Sequence, residues 1–439
     1  MLRKIYTTKE EFELQQKELG VCLPYAENIS VLSTPVQVGE TRIPNRLVCQ
    51  AMEGCDGTKD GSPDTLTKRR YERFAKGGAG LIWFEATAVL KEGRANPRQL
   101  YITQENLDDF KRQVEEIKTT ALKENGFEPI VIMQATHSGR YSKPEGVAAP
   151  LIAYNNPIFE KENPIDKSRV VSDEYLDKVR DHLIHGALLA QKAGFDGVDI
   201  KACHRYLNSE LLSAFERDGK YGGSLENRTR LLIESVRGAK ENCDKNFIVS
   251  SRLNVYDGFP YPYGFGVKND GSIEFDETEP VWLLKKLYEE GVRILNISMG
   301  NPYFNPHVNR PFAVGGYTPQ EHPLQGVERM LNGIARLKKQ VPEMKLISSG
   351  ISYLGVTAPN VTAAFIEQGG FDFAGFGRTI FAYPDFANDI IKNGEMKKEK
   401  LCICCSKCTE LMRAGGTPGC IIKDKEVYAP LYKEFCRNK

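Results

Sequence analysis

Four cysteines, Cys402, Cys405, Cys408 and Cys420, stand in a C-x2-C-x2-C-x11-C array, with Cys404 as an extra thiol inside its tight half. Three thiolates at two-residue gaps can wrap one face of a cubane, and the turn Gly415-Gly416-Thr417-Pro418-Gly419 lets a fourth return to it. Structural zinc more often takes two separated C-x2-C pairs, so the spacing favours a 4Fe–4S cluster over zinc. Unligated thiols remain the third alternative. An electron carrier here implies redox chemistry in the rest of the chain. Cys22, Cys49, Cys55, Cys203, Cys243 and Cys436 are scattered and read as small apolar residues.

Composition narrows the partners. A chain of 439 residues with a formal net charge of +1 has no excess cation for nucleic acid or an anionic membrane surface. The opening stretch MLRKIYTTKEEFELQQKELG lacks an apolar signal core, and no apolar run is long enough to span a bilayer. Eleven cysteines without a secretion signal point to a reducing compartment, so a cytoplasmic enzyme is expected.

These groups need a scaffold, and the scaffold alternates. Short apolar or β-branched runs recur at 46–52, 80–87, 129–136, 195–201, 246–254, 293–299, 345–350 and 371–377. Amphipathic stretches such as DEYLDKVRDHLIHGALLAQKAG separate most of them. Strand–helix alternation argues for a parallel sheet in an α/β chain, and eight such units fit a closed (β/α)8 TIM barrel better than an open doubly wound sheet. The expected organisation is a charged N-terminal arm (1–30), one barrel (31–395) and a short cysteine-rich, cluster-binding tail (396–439).

Active sites of such barrels lie at the C-terminal ends of the strands. The polar residues expected there include Met52 and Glu53, Glu85 to Thr87, Gln134 to Arg140, Lys201 to Tyr206 and Arg252. Gly350 and Gly377-Arg378 end the last two strands, and glycine N–H groups with one guanidinium can make a phosphate site. Ordinary turn glycines are the competing explanation.

Taken in order, several motifs carry a resemblance: Asn45-Arg46-Leu-Val-x-x-Ala51-Met52, Lys76-Gly-Gly-Ala-Gly-Leu-Ile-Trp-Phe-Glu85-Ala86, Gln134-x-x-His137-Ser-Gly139-Arg140, His204-x-Tyr206, Tyr221-Gly-Gly-Ser224-Leu-Glu226-Asn227-Arg228-x-Arg230 and Phe373-x-x-Phe376-Gly377-Arg378. Over about residues 30–395 the chain resembles the Old Yellow Enzyme family of FMN-dependent reductases. With the cysteine array added, it resembles the branch of 2,4-dienoyl-CoA reductases, 2-enoate reductases and trimethylamine dehydrogenase.

The resemblance implies roles. Gln134 and Arg252 match residues that hydrogen-bond the flavin pyrimidine edge, where a cation stabilises the reduced ring. Ala51, Met52 and Ala86 match backbone contacts to the isoalloxazine, and Gly350, Gly377 and Arg378 match the FMN phosphate cradle. Tyr206 matches a proton-donating tyrosine; a phenol of pKa about 10 stays protonated at neutral pH yet can donate to a developing carbanion. Two departures bear on substrate. Where relatives pair two neutral donors, this chain has Lys201 and His204, which suits a carboxylate or strongly enolising carbonyl. Where relatives place Cys or Thr, it has Glu53, which must turn away from the flavin or be protonated.

The longer relatives carry an FAD- and NAD(P)H-binding half, and this sequence has no G-x-G-x-x-G after a strand. A separate electron-donor protein, or NAD(P)H acting directly on FMN, is therefore expected as partner, and a homo-oligomer is left open. The expected activity is reduction of an activated alkene (enoate, enone or enoyl thioester), with electrons entering through the cluster. Two alternatives stand beside it. One is an electron-transfer or redox-sensing subunit with a vestigial barrel. The other is trimethylamine-dehydrogenase-like amine oxidation, for which an aromatic bowl would be required, and Trp83 and Trp282 both fall inside elements rather than at the rim.

Overall fold

All eight apolar runs become parallel strands of one sheet. The computed structural model describes residues 4–161 and 163–437. Strands β1 (Val36–Val38) and β2 (Thr41–Ile43) precede the barrel. Its own strands are β3 (Leu47–Cys49), β4 (Leu81–Ala88), β5 (Ile130–Thr136), β6 (Gly197–Ile200), β7 (Ile248–Asn254), β8 (Ile294–Ser298), β9 (Lys345–Ile347) and β10 (Ala374–Phe376). The order is β10-β3-β4-β5-β6-β7-β8-β9, and a parallel bridge between Ile347 and Phe373 joins the two ends. The result is the α/β barrel that the alternation predicted.

The barrel lumen is built in layers. Val48, Leu81, Trp83, Ile132, Ile248, Ile294, Ile347 and Phe373 pack as one apolar cluster inside the strands. Val36, Val38 and Ile43 of the β1–β2 hairpin belong to the same cluster, so the hairpin plugs one end. Its two-residue turn puts Gly39 at a φ of 56°, the left-handed conformation such turns demand. Sequence reading gave no strand here, because three residues are too few to show alternation.

Above the apolar layer lies a polar one. Gln50 and Asn296 exchange hydrogen bonds of 3.1 and 2.7 Å, and Gln50 also donates to the Ser348 carbonyl at 3.0 Å. A Cβ at Gly375 would run into Gln50 and that carbonyl, so only glycine fits beside this pair.

A bulge in β4 turns one acidic residue out of the lumen. The register with β5 shifts between Phe84 and Ala86, so Ala86, not Glu85, lies beside Gln134. Glu85 instead pairs with Arg70, which also pairs with Asp56, all three fully buried. Burial and the neighbouring Asp56 charge raise the Glu85 carboxyl to about 7, against the pull of Arg70. Glu85 accepts the Gly54 N–H at 2.7 Å and thereby fixes the loop after β3.

Residues 4–30 lie against the barrel through helix Lys9–Leu19, whose Phe12 is fully buried, and through the Tyr6 carbonyl, which accepts Val356 N–H at 3.0 Å. At the other end, helices Lys407–Arg413 and Lys425–Tyr432 carry the cysteine segment. Asp424 clamps it to helix Thr65–Lys76, accepting two bonds from Arg69 (2.8 and 2.9 Å) and one from Arg73. Among the described residues no helix is long and apolar enough to cross a membrane.

Candidate active site

One cleft gathers the predicted residues. Ala51, Met52, Ala86, Gln134, Lys201, His204, Tyr206, Arg252, Gly350, Gly377 and Arg378 all line it. They come from the ends of β3, β4, β5, β6, β7, β9 and β10, as barrel geometry requires.

Asp199, a buried residue within β6, organises its floor. The carboxylate accepts from Gln134 Nε2 and Trp83 Nε1, each at 2.6 Å, and from the Arg252 backbone N–H at 2.6 Å. Burial raises the Asp199 carboxyl, and those same bonds hold it down. With its amide nitrogen held by Asp199, Gln134 keeps its carbonyl oxygen and a second N–H for a ligand. The Arg252 guanidinium reaches the Ala51 carbonyl at 3.4 Å, while its Nε is buried without a partner.

The loop after β6 presents His204 and Tyr206 by an unusual backbone. His204 and Arg205 both have positive φ, 65° and 57°, which costs on the order of 1–2 kcal/mol per non-glycine residue. Arg205 anchors the turn from behind. It pairs with Asp257 at 3.1 Å, donates to Tyr154 at 3.0 Å, and stacks between Phe159 and Phe259. His204 Nε2 is thereby left buried and unpartnered in the cleft. Burial, with Arg252, Lys201 and Arg310 nearby, pushes its pKa well below the usual histidine range, so the imidazole is neutral. Lys201 is also buried, which lowers its pKa, so it is not the solvent-facing residue its type suggests.

Tyr206 shares a hydrogen bond of 3.1 Å with Tyr303, and Tyr303 stacks on Tyr141 with ring centroids 4.0 Å apart. Burial raises all three phenols, keeping them protonated at neutral pH. This tyrosine group supplies the aromatic faces that counting tryptophans missed. Trp83 lies in the lumen on Asp199, and Trp282 sits on helix Thr278–Glu289. Glu53 is half-buried, accepts from Asn96 at 2.9 Å, and has its pKa raised by burial. His137 is a satisfied core residue: Nε2 meets Tyr175 Oη at 2.9 Å and Nδ1 accepts Gly139 N–H at 3.1 Å.

At the other end of the cleft stand Ser349, Gly350, Ser352, Gly377, Arg378 and Arg310. Arg378 is buried, donates to the Pro311 carbonyl at 2.7 Å and leaves Nη1 without a partner. Burial and the adjacent Arg378 charge lower Arg310 to about 9. Two guanidinium groups with spare N–H donors and flanking glycines fit a phosphate, and the free Arg252 and Gln134 donors fit a flavin pyrimidine edge.

Cys402, Cys404, Cys405, Cys408 and Cys420 line a neighbouring small cavity whose wall includes Arg378 and Phe381. Cys404 and Ser406 adopt positive φ (52° and 60°), curling the chain around it. Among the described residues, no three His, Cys, Asp or Glu side chains converge on a point that would hold a single metal ion.

Sequence reading missed Asp199, Tyr141, Tyr303 and Arg310. Tyr303 and Arg310 follow the end of β8, where barrel convention directs attention. Asp199 was hidden inside a strand.

Known proteins resemble this chain in sequence and fold. An NADPH dehydrogenase of Geobacillus thermodenitrificans is 32% identical over 275 residues, 62% of this chain and 73% of that protein. An NADH oxidase of Thermoanaerobacter brockii is 26% identical over 378 residues, 84% of this chain but 52% of the relative, so the chain spans about half that protein's length. Among solved structures, a 2-naphthoyl-CoA reductase complex shares the fold with a TM-score of 0.73 at 19% identity, over 93% of this chain and 58% of the other. Morphinone reductase with tetrahydroNAD gives 0.62 at 21% identity, over 84% and 92%. Residues 31–292 match the NADH:flavin oxidoreductase / NADH oxidase family, and the chain belongs to it, an oxidoreductase of the Old Yellow Enzyme kind whose cofactor is FMN.

Proposed function

We propose that this oxidoreductase reduces a carbon–carbon double bond conjugated to a carbonyl, carboxylate or thioester. The observation that carries the reading is the buried, unpartnered Nε2 of a neutral His204 beside Lys201 and Tyr206. A neutral imidazole N–H and an ammonium would hold the substrate's oxygen and stabilise enolate charge there. FMN bound in this cleft and reduced would be the source of the hydride for the β-carbon. Tyr206 gives its proton to the α-carbon, saturating the bond, and recovers a proton from water. Gln134 and Arg252 would hold the pyrimidine edge, the backbone of Ala51, Met52 and Ala86 would lie along the ring, and Gly350, Gly377 and Arg378 would hold the phosphate.

The aromatic group of Tyr141, Tyr206 and Tyr303 brings amine oxidation forward as a second reading, since such faces attract ammonium ions. Against it, Lys201 already places a cation on the Tyr206 ring. Cys402, Cys405, Cys408 and Cys420 line one cavity, and their C-x2-C-x2-C-x11-C spacing suits a 4Fe–4S cluster. Electrons would come from a donor protein or from NAD(P)H. An anaerobic panel of enoates, enones, enoyl thioesters and tertiary amines, with dithionite for reduction and a dye acceptor for oxidation, decides between the readings. Turnover of amines alone would reject alkene reduction.

A further inference from the structure

The loop after β8 touches both the phosphate end of the cleft and the cysteine segment. Arg310 and Arg378 line the same end of the cleft, close enough that their like charges repel. Arg378 Nη1 is buried and has no partner, and its Nη2 is held by the Pro311 carbonyl at 2.7 Å. Arg310 Nη1 donates a long hydrogen bond, 3.4 Å, to Ser406 Oγ between Cys405 and Cys408. Three residues on, Ala313 and Val314 N–H groups both donate to the Cys404 carbonyl, at 3.2 and 3.3 Å. Two guanidinium groups line one end of the cleft, and a phosphate dianion between them would meet both in charge-assisted contacts.

We propose that Arg310 is a second phosphate anchor for FMN, and that residues 310–314 transmit occupancy of the phosphate site to the cysteine segment. This rests on FMN being the cofactor. The dianion draws Arg310 toward Arg378, and the chain that follows Arg310 carries the two donors that grip Cys404. A flavin without the phosphate, riboflavin, fills the ring pocket but leaves the two guanidinium groups unpaired. Phosphate recognition and seating of the cysteine segment thus share one loop.

Flavin exchange on the full chain tests this, with bound and released FMN or riboflavin read by fluorescence and amide hydrogen exchange followed over residues 402–420. The parent chain is expected to hold FMN at least 100-fold more tightly than riboflavin. Arg310→Ala should lose about 10-fold or more of that preference while binding riboflavin as the parent does, and Arg310→Lys should recover part of it. In the parent, FMN should slow exchange in 402–420 more than riboflavin does, and the difference should shrink in Arg310→Ala. Unchanged riboflavin binding shows that the variant is folded; if it is not, Arg310→Lys alone must show a weakened FMN preference. An FMN preference equal in parent and variants would overturn the anchor, and equal protection by both flavins would overturn the transmission. A parent that holds neither flavin would instead remove the cofactor on which both rest.

Discussion

The Lys201 ammonium lies 3.8 Å from the centroid of the Tyr206 ring. A cation on a phenol face fixes both side chains and brings charge to the place where a substrate oxygen would sit. Replacing Tyr206 by Phe keeps the face and deletes only the proton. Its alkene turnover should fall about 100-fold or more, with the rate of flavin reduction unchanged. Lys201→Met should instead raise KM, most for carboxylate substrates. Stopped-flow separation of the two half-reactions checks both; a Tyr206→Phe chain that reduces alkenes at the parent rate would remove the assigned donor.

Asp199 is where a small change should do most harm to the fold. Asp199→Ala strands three buried donors, on Gln134, Trp83 and Arg252. Each orphaned donor costs about 1–3 kcal/mol, so the loss of stability should be several kcal/mol, with weaker FMN retention. Urea unfolding with a flavin release assay would reveal it. A variant as stable as the parent would mean that water replaces the carboxylate.

His137 gives the protein an acid-sensitive core. Burial lowers its pKa to about 4 in the fold, whereas an unfolded histidine titrates near about 6.5. Its contribution is complete above about 6.5 and is lost as pH falls toward 4, because only the unfolded chain takes up the proton. Between pH 7 and 5 this amounts to about 2 kcal/mol. His137→Gln, measured by urea unfolding at both pH values, should show a drop smaller by that amount. Identical drops would place the acid sensitivity elsewhere.

The cysteine segment should load iron and sulfide in about a 4:4 ratio per chain after anaerobic preparation. Cys405→Ala should lose both while the Asp424 clamp on Arg69 and Arg73 keeps the segment docked and FMN bound. Metal analysis that finds zinc without sulfide would reject the cluster.

The barrel was legible because strand and helix signals alternate over long stretches, and barrel convention then picks out the strand ends where Gln134, Lys201 and Arg252 fall together. What escaped was set by three-dimensional neighbours. Asp199 reads as one more residue in an apolar strand until its three donors are seen. Arg310 reads as a loop cation until Arg378, sixty-eight positions on, is found facing the same space. Tyr303 gains meaning only through Tyr206 and Tyr141.

The bulge at Glu85 makes chain length inside β4 as constrained as its composition. Residues alternate across a strand, so a regular strand would point Glu85 into the lumen and Ala86 away from it; the bulge skips Glu85, keeping Ala86 at the cleft while Glu85 faces Arg70. Deleting Glu85 would leave Ala86 to Ala88 facing as they do but strip Arg70 and the Gly54 N–H of their carboxylate, whereas straightening the strand with Glu85 retained would drive the carboxylate into the lumen. A deletion that a surface loop absorbs without effect would here cost the buried ion pair, so the length of β4 is held by Glu85 and Arg70 together.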